Sequence, residues 1–307
     1  MKRVFRIGTR GSLLALAQAN EIRRRLQKKC PGFEFRLVII KTTGDEFQSV
    51  ELFKKTNVGV FTKTIEQKLL KKDIDIAVHS LKDLPTDLPK GLVLAAFPKR
   101  LDPADVVISR RGLRLADLPK GALVGTGSPR RKRQLLRLRP DLKVCDIHGN
   151  LDTRISKVLK ERKYDAVVVA KAGLLRIKKY LKYAHVIPAS ELLPAVGQAA
   201  LGIQTRKNDK EARQIVRFLN HPDTEKKVRA ERSFLKTLEG GCRVPVGIHS
   251  KLSKERLFLK AAVFSTKNLD TIMGQIDGPK ENFDKLGKSL AKKLLRKGAS
   301  NILCVAR

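Results

Sequence analysis

Apolar residues fall on every second position at Ile74, Ile76 and Val78, with Asp75 and Ala77 between them, and this period of two predicts a strand. The strand runs into Ser80-Leu-Lys-Asp83 and stops before Pro85, which prevents a long helix from following. Ser80 is placed to cap a brief helical turn, with Asp83 just beyond the strand end. Earlier in the chain, residues 4–8 read as a strand, Gly8-Thr-Arg-Gly-Ser12 as a turn, and Leu13, Leu14, Leu16, Ala17 and Ile22 as a helix capped by Ser12. Phe35–Ile40 reads as a second strand. The polar, patternless stretch from Lys41 to about Gly59 predicts a mobile loop, and a helix follows from about Phe61 to Lys72.

The same grammar then repeats. After strand Leu92–Phe97, the segment Pro98–Pro103 reads as a crossing into a second domain. Ala122–Thr126 is a strand, Gly127-Ser128 a turn with its cap, and Pro129 occupies the first helical position ahead of Arg130, Arg131, Lys132 and Arg133. Strand Lys143–Ile147, turn His148-Gly-Asn150, a helix over 151–162 bearing Arg154, strand Asp165–Ala170 and Gly173-Leu-Leu-Arg176 complete this domain. Pro194–Gln198 reads as the return crossing and Leu201–Gln204 as one more strand of the first domain. The echo of Gly-Thr-Arg-Gly-Ser12 in Gly-Thr-Gly-Ser128 predicts two similar α/β domains, 1–98 with 199–217 and 103–195. From about Pro222 the order changes: helix Thr224–Leu238, the loop Glu239-Gly-Gly-Cys-Arg-Val-Pro245, strands near 257–264 and 271–276, an amphipathic helix over 281–297 and a closing strand Asn301–Val305. That order predicts a small α+β domain over 222–307.

Charge changes the picture most. Against 30 Asp+Glu the chain carries 66 Lys+Arg, a formal net charge of +36, which suits a polyanionic partner. Nucleic acid is poorly matched, because Trp is absent and aromatic residues make up only 5%, leaving little to stack on bases. The basic residues also recur at strand ends and helix starts, an edge that a nucleic-acid patch has no reason to respect. There is no apolar run near the length of a membrane span, and Met1-Lys-Arg-Val-Phe-Arg-Ile-Gly8 leads into a strand, so the chain reads as cytoplasmic. Cys30, Cys145, Cys242 and Cys304 form no Cys-x-x-Cys pair, which argues against structural zinc and a disulfide framework.

Two residues stand out chemically. Asp83 sits where ligands bind in open α/β sheets, beyond a strand's carboxyl end, although on local grounds alone a solvated capping acid is the commoner account. Cys242 follows two glycines and precedes Pro245, which holds a thiol on a tight loop suited to reaction or modification.

Taken together, Arg6–Ser12, Ala77–Pro85, Gly125–Arg131, Gly149–Arg154, Pro194–Gln198 and Leu238–Pro245 closely resemble the porphobilinogen deaminase (hydroxymethylbilane synthase) family, in order and over essentially the whole chain. The resemblance implies two domains built like type II periplasmic binding proteins, a third carrying dipyrromethane on Cys242, and a transferase that joins four porphobilinogen molecules head to tail with loss of ammonia. It implies catalysis by Asp83; cofactor contacts from Ser80, Lys82, Thr126, Ser128, Arg130, Arg131, His148 and Arg154; and substrate contacts from Arg10, Ser12, Lys54 and Arg176. It further implies a cytoplasmic monomer that binds neither membrane nor nucleic acid and passes its product to uroporphyrinogen-III synthase.

Three positions depart from the family pattern. Val58 stands where a lysine is common, His148 where an arginine precedes Gly-Asn, and Ala104 where Asp-Pro-Arg-Asp is common. Histidine titrates at roughly 6.5 as a residue type and is mostly neutral where arginine stays charged, so the grip on carboxylates is weaker at that position. Two other readings fit parts of the sequence: a non-enzymatic binder of an anionic ligand, and a nucleic-acid binder resting on +36 alone. Asp83 together with Cys242 separates the transferase from the simple binder, which needs neither, and salt-sensitive DNA or RNA binding without a chromophore would mark the nucleic-acid binder.

Overall fold

The structure, a computed structural model, describes residues 2–42, 62–238, 245–265 and 267–303. The described strands are β1 (Val4–Thr9), β2 (Glu34–Ile39), β3 (Ile76–Ser80), β4 (Leu92–Ala96), β5 (Asp105–Ser109), β6 (Leu123–Gly125), β7 (Lys143–Cys145), β8 (Ala166–Ala170), β9 (Ala184–Ile187), β10 (Leu201–Arg206), β11 (Val246–Leu252), β12 (Arg256–Phe264) and β13 (Thr271–Pro279). The chain divides into two compact units, Met1–Leu101 with Ala200–Glu225, and Asp102–Ala199 with Lys226–Arg307.

The first unit is built on a sheet of order β2-β1-β3-β10-β4. β1 runs parallel to β2 and β3, while β10 is antiparallel to both of its neighbours, β3 and β4. Both faces are covered, which is why every residue of β3 except Ser80 is buried. On one face Phe5, Ile7, Ile76 and Val78 pack with Ala19, Ile22 and Leu26 of helix Leu13–Lys29. On the other, Ala77 and Ile74 pack with Ile65 and Leu69 of helix Lys63–Leu70.

The second unit repeats this plan in a sheet of order β7-β6-β8-β5-β9, again with one reversed strand in fourth place. β6 therefore occupies the position of β1, and helix Pro129–Leu138 that of helix Leu13–Lys29, as the Gly-Thr/Gly-Ser echo predicts. In each sheet the reversed strand, β10 or β5, is the first after a crossing. β5 itself is absent from the expectations above, because Asp105-Val-Val-Ile-Ser109 is a continuous apolar run without alternation.

A separate antiparallel sheet, β11-β12-β13, lies in the second unit under helix Phe283–Leu294, which buries Leu286, Leu290, Ala291 and Leu294. Here the closing strand expected at Asn301–Val305 is overturned: Ser300–Leu303 is helical. Gly298, at φ 93, turns the chain after the long helix, and Ile302 and Leu303 then pack onto the sheet's apolar cluster. The third strand is supplied instead by β11. Among the described residues no helix is long and apolar enough to cross a membrane.

Candidate functional site

In the first unit, β1 and β3 are parallel neighbours, so the segments that follow them emerge at the same carboxyl edge of the sheet. β1 leads to half-buried Arg10 and to Ser12, whose Oγ accepts the backbone N–H of Ala15 and caps the helix as expected. β3 leads to a single 3-10 turn, Leu81–Asp83, held to the residue just before β10 by the Leu81 N–H donating to the Ala200 carbonyl at 3.0 Å. Lys82 is half-buried and Asp83 exposed. The Asp83 carboxylate has no hydrogen-bond or ion-pair partner among the described residues. Ser80 corrects one expectation. It makes no side-chain cap, since its hydroxyl pairs with the Gln18 amide group at 2.9 Å.

Behind this edge lies His79, 4% exposed, with ring Nε2 2.9 Å from Gln204 Oε1. Burial lowers its pKa from 6.5 to about 4, against the opposing effect of the Gln204 hydrogen bond. A histidine kept neutral in the fold but protonated when unfolded contributes stability that is complete above 6.5 and lost as pH falls toward 4. The loss amounts to about 3 kcal/mol. Burial raises Glu66 above the usual carboxyl range and acts in the opposite sense. The comparison is therefore urea unfolding of wild type and His79→Gln between pH 7 and 5, at roughly the window that histidine titration defines. Wild type is expected to lose more stability than the variant over that window, and equal slopes would exclude His79 as the cause.

In the second unit, β7, β6 and β8 are parallel neighbours, so the segments that follow them, which lead to Thr126, Ser128, Arg130, Arg131, His148, Arg154 and Arg176, leave the sheet at one edge. β6 leads to buried Thr126 and to Ser128, whose Oγ accepts the Arg131 N–H and caps helix Pro129–Leu138. β7 leads to His148 and Gly149. The latter adopts φ 110, and a Cβ there would meet the Thr153 side chain at 2.7 Å. Arg154 Nε donates to the carbonyl of Gly149 at 2.8 Å, which ties the guanidinium to this turn. β8 leads to helix Lys171–Ile177, where Arg176 lies in the last turn and donates from Nη2 to the Ala199 carbonyl at 3.0 Å.

Arg130 and Arg131 are placed more deeply than sequence reasoning anticipates, at 4% and 5% exposure. Their Nη2 atoms lie 2.8 and 2.7 Å from the two oxygens of Asp105, which is fully buried. Gln198 donates to the same carboxylate at 2.9 Å, and Arg130 Nη1 donates to the Leu193 carbonyl at 2.6 Å. Burial opposes ionisation of Asp105, but the Arg130 and Arg131 charges overcome it and bring the carboxyl down to about 2. Burial also draws Arg130 below its ordinary value. The carboxyl decides the charge state of the cluster, since a guanidinium stays protonated throughout. Sequence reasoning missed this role of Asp105, whose visible signal was an acid between Pro103 and an apolar run.

Lys54 and Cys242 lie outside the described residues, as do Val58, Cys304 and the stretch predicted as a mobile loop from Thr43 onward. Among the described residues no group of His, Cys, Asp or Glu is arranged to hold a metal ion.

Residues 5–214 match the family described as "Porphobilinogen deaminase, dipyromethane cofactor binding domain", and residues 226–296 match "Porphobilinogen deaminase, C-terminal domain". The chain belongs to the porphobilinogen deaminase family. A porphobilinogen deaminase of Desulforudis audaxviator (strain MP104C) is 47% identical over 307 residues, covering 100% of this chain and 99% of the relative. One of Geotalea uraniireducens (strain Rf4) is 45% identical over 301 residues, covering 98% and 94%.

The second unit fits the dipyrromethane of porphobilinogen deaminases by the chemistry of its donors. Guanidinium groups, the Thr126 and Ser128 hydroxyls and a helix N-terminus all favour carboxylates, which the acetate and propionate arms of that group supply. The buried Nε atoms of Arg130 and Arg131 also lack hydrogen-bond partners within the described protein. A buried donor without an acceptor is costly, and a carboxylate arm would relieve it.

Proposed function

We propose that this chain joins four porphobilinogen molecules head to tail, with loss of four ammonia molecules and uptake of one water that frees the product, into hydroxymethylbilane, with Asp83 stabilising the cation formed at each joining carbon. The observation that carries the reading is Asp83 itself: an exposed carboxylate at a strand end, with no partner among the described residues, whose neighbouring segments bring Lys82 and Arg10. At each addition the C–N bond of the aminomethyl group breaks and ammonia leaves. The remaining methylene carbon, now part of a delocalised azafulvenium cation, bonds to the free pyrrole α-carbon of the growing chain, which then loses its proton. Asp83 faces that cation and assists the proton's departure.

When bound through Cys242, dipyrromethane supplies the pyrrole carbon from which the chain starts. The basic residues hold the carboxylates that each added ring brings. Arg154 and Arg176 grip them as planar forks, Lys54 as a point charge, and Thr126 and Ser128 through their hydroxyls. Arg10, Ser12, Ser80 and Lys82 do the same on the sheet edge that carries Asp83, and Arg130, Arg131 and His148 complete the set. On this reading the α/β domains 1–98 with 199–217 and 103–195 perform the chemistry, and 222–307 carries the attachment cysteine. The enzyme acts as a cytoplasmic monomer and passes its product to uroporphyrinogen-III synthase, a reading supported by family membership.

Intact mass spectrometry tests it. The purified protein is expected to weigh more than its chain by two linked pyrrole units, and Cys242→Ser to weigh only its chain. An active enzyme with the bare-chain mass would overturn the reading.

A further inference from the structure

Three polar side chains meet inside the apolar layer behind β3. Glu66 is 4% exposed, Gln204 0% and His79 4%. Gln204 Nε2 donates to Glu66 Oε1 at 2.9 Å, so its Oε1 is the acceptor facing His79 Nε2, also at 2.9 Å. That assignment places the ring proton of the neutral histidine on Nε2. The apolar cluster on this face of the sheet includes Ile65, Leu69, Ala77 and Leu92, and Lys63 at the start of the same helix is the charge that acts on Glu66.

Apolar side chains of the same shape would be as stable here, because desolvation offsets most of what buried hydrogen bonds return. What a polar chain adds is a single satisfied arrangement of the elements that carry it. Those elements are helix Lys63–Leu70, β10 and β3, with His79 immediately before Ser80 and four residues before Asp83. β10 needs such a constraint. Its pairing with β4 shifts register between Ile203 and Gln204, so the ladder on that side is interrupted at the residue in the middle of the chain. On its other side β10 holds the catalytic strand, through Gly202 opposite His79 and Leu201 opposite Ser80.

We propose that Glu66, Gln204 and His79 form a positioning device for Asp83, fixing β3 against β10 so that the Leu81–Asp83 turn leaves the sheet in one place. The inference rests on the reading of Asp83 as the catalytic carboxylate. None of the three touches substrate; they act through the turn.

The test is a mutant cycle on the full-length enzyme carrying its dipyrromethane. Gln204→Met keeps the volume and removes both hydrogen bonds. It is expected to lower kcat on the order of tenfold, the scale of a small misplacement at a reacting centre. KM and the dipyrromethane mass increment should remain as in wild type. Glu66→Gln preserves the acceptor and is expected to lose far less. In an Asp83→Asn background, Gln204→Met should add no further loss, because there is no carboxylate left to misplace. A wild-type kcat in Gln204→Met, or an equal further loss in the Asp83→Asn background, would overturn the proposal. A fully active Asp83→Asn enzyme would instead remove the reading beneath it. If Gln204→Met does not fold, Glu66→Met severs the chain at its far end and is carried through the same cycle with the same outcomes decisive.

Discussion

Asp83→Asn is expected to reduce kcat by about three powers of ten while leaving KM and the dipyrromethane mass increment nearly unchanged. The size follows from a single ion pair. At about 4 Å and an effective dielectric near 20, a carboxylate facing the substrate cation is worth on the order of 4 kcal/mol before desolvation. The loss falls mainly on kcat because the departure of ammonia moves the positive charge from the substrate's ammonium group onto the pyrrole and its methylene carbon, where Asp83 meets it as the transition state forms. Asparagine is nearly the same shape, and Asp83 is exposed on a one-turn helix with no partner to lose among the described residues, so the fold is left intact. Single-turnover kinetics on the purified variant reads the effect. A rate within threefold of wild type would end the assignment of Asp83.

Asp105→Asn is expected to destabilise the second unit by about 3 to 5 kcal/mol, the usual cost of removing one partner from a buried ion pair. The side chains of Arg130 and Arg131 are only 5% and 7% exposed, and the substitution leaves both guanidinium charges facing a neutral amide. Urea unfolding read from a probe in 102–199 measures the change. A loss under about 1 kcal/mol would show that the cluster relaxes to let water in. Acid should mimic the substitution. With its carboxyl held at about 2 instead of 3.8, Asp105 contributes stability that is present above 3.8 and disappears as pH falls toward 2. That window lies below the one in which His79 titrates, so the two effects separate on the pH axis.

Much of the fold is legible along the chain. The alternation at Ile74, Ile76 and Val78 predicts β3, and Ser12 and Ser128 predict the starts of two equivalent helices; both caps accept a backbone N–H three residues on. Elsewhere the local signal runs out. Val106-Val-Ile108 carries no period because β5 is covered on both faces, with Val107 in one apolar cluster and Val106 and Ile108 in the other. Ile302 and Leu303 read as strand because two apolar neighbours fit either structure, and the left-handed Gly298 decides for helix. Ser80 has the residue type and position of a cap, yet its hydroxyl turns to Gln18, which lies 62 residues away in sequence.

By itself, then, the sequence determined the two echoing α/β units, the strand ends where charge collects and the family through motifs spread over the whole chain, and it pointed to Asp83 and Cys242 as the residues on which the proposed chemistry turns. These are properties of spacing and residue type, which survive without coordinates. Tertiary structure alone decided which charged and polar groups meet inside the protein. Arg130, Arg131 and Asp105 meet from positions 25 and 26 residues apart, and His79 meets Gln204 across 125. Such pairings depend on which strands become neighbours. No local pattern records that choice, because burial and partnership are fixed by the packing of distant segments.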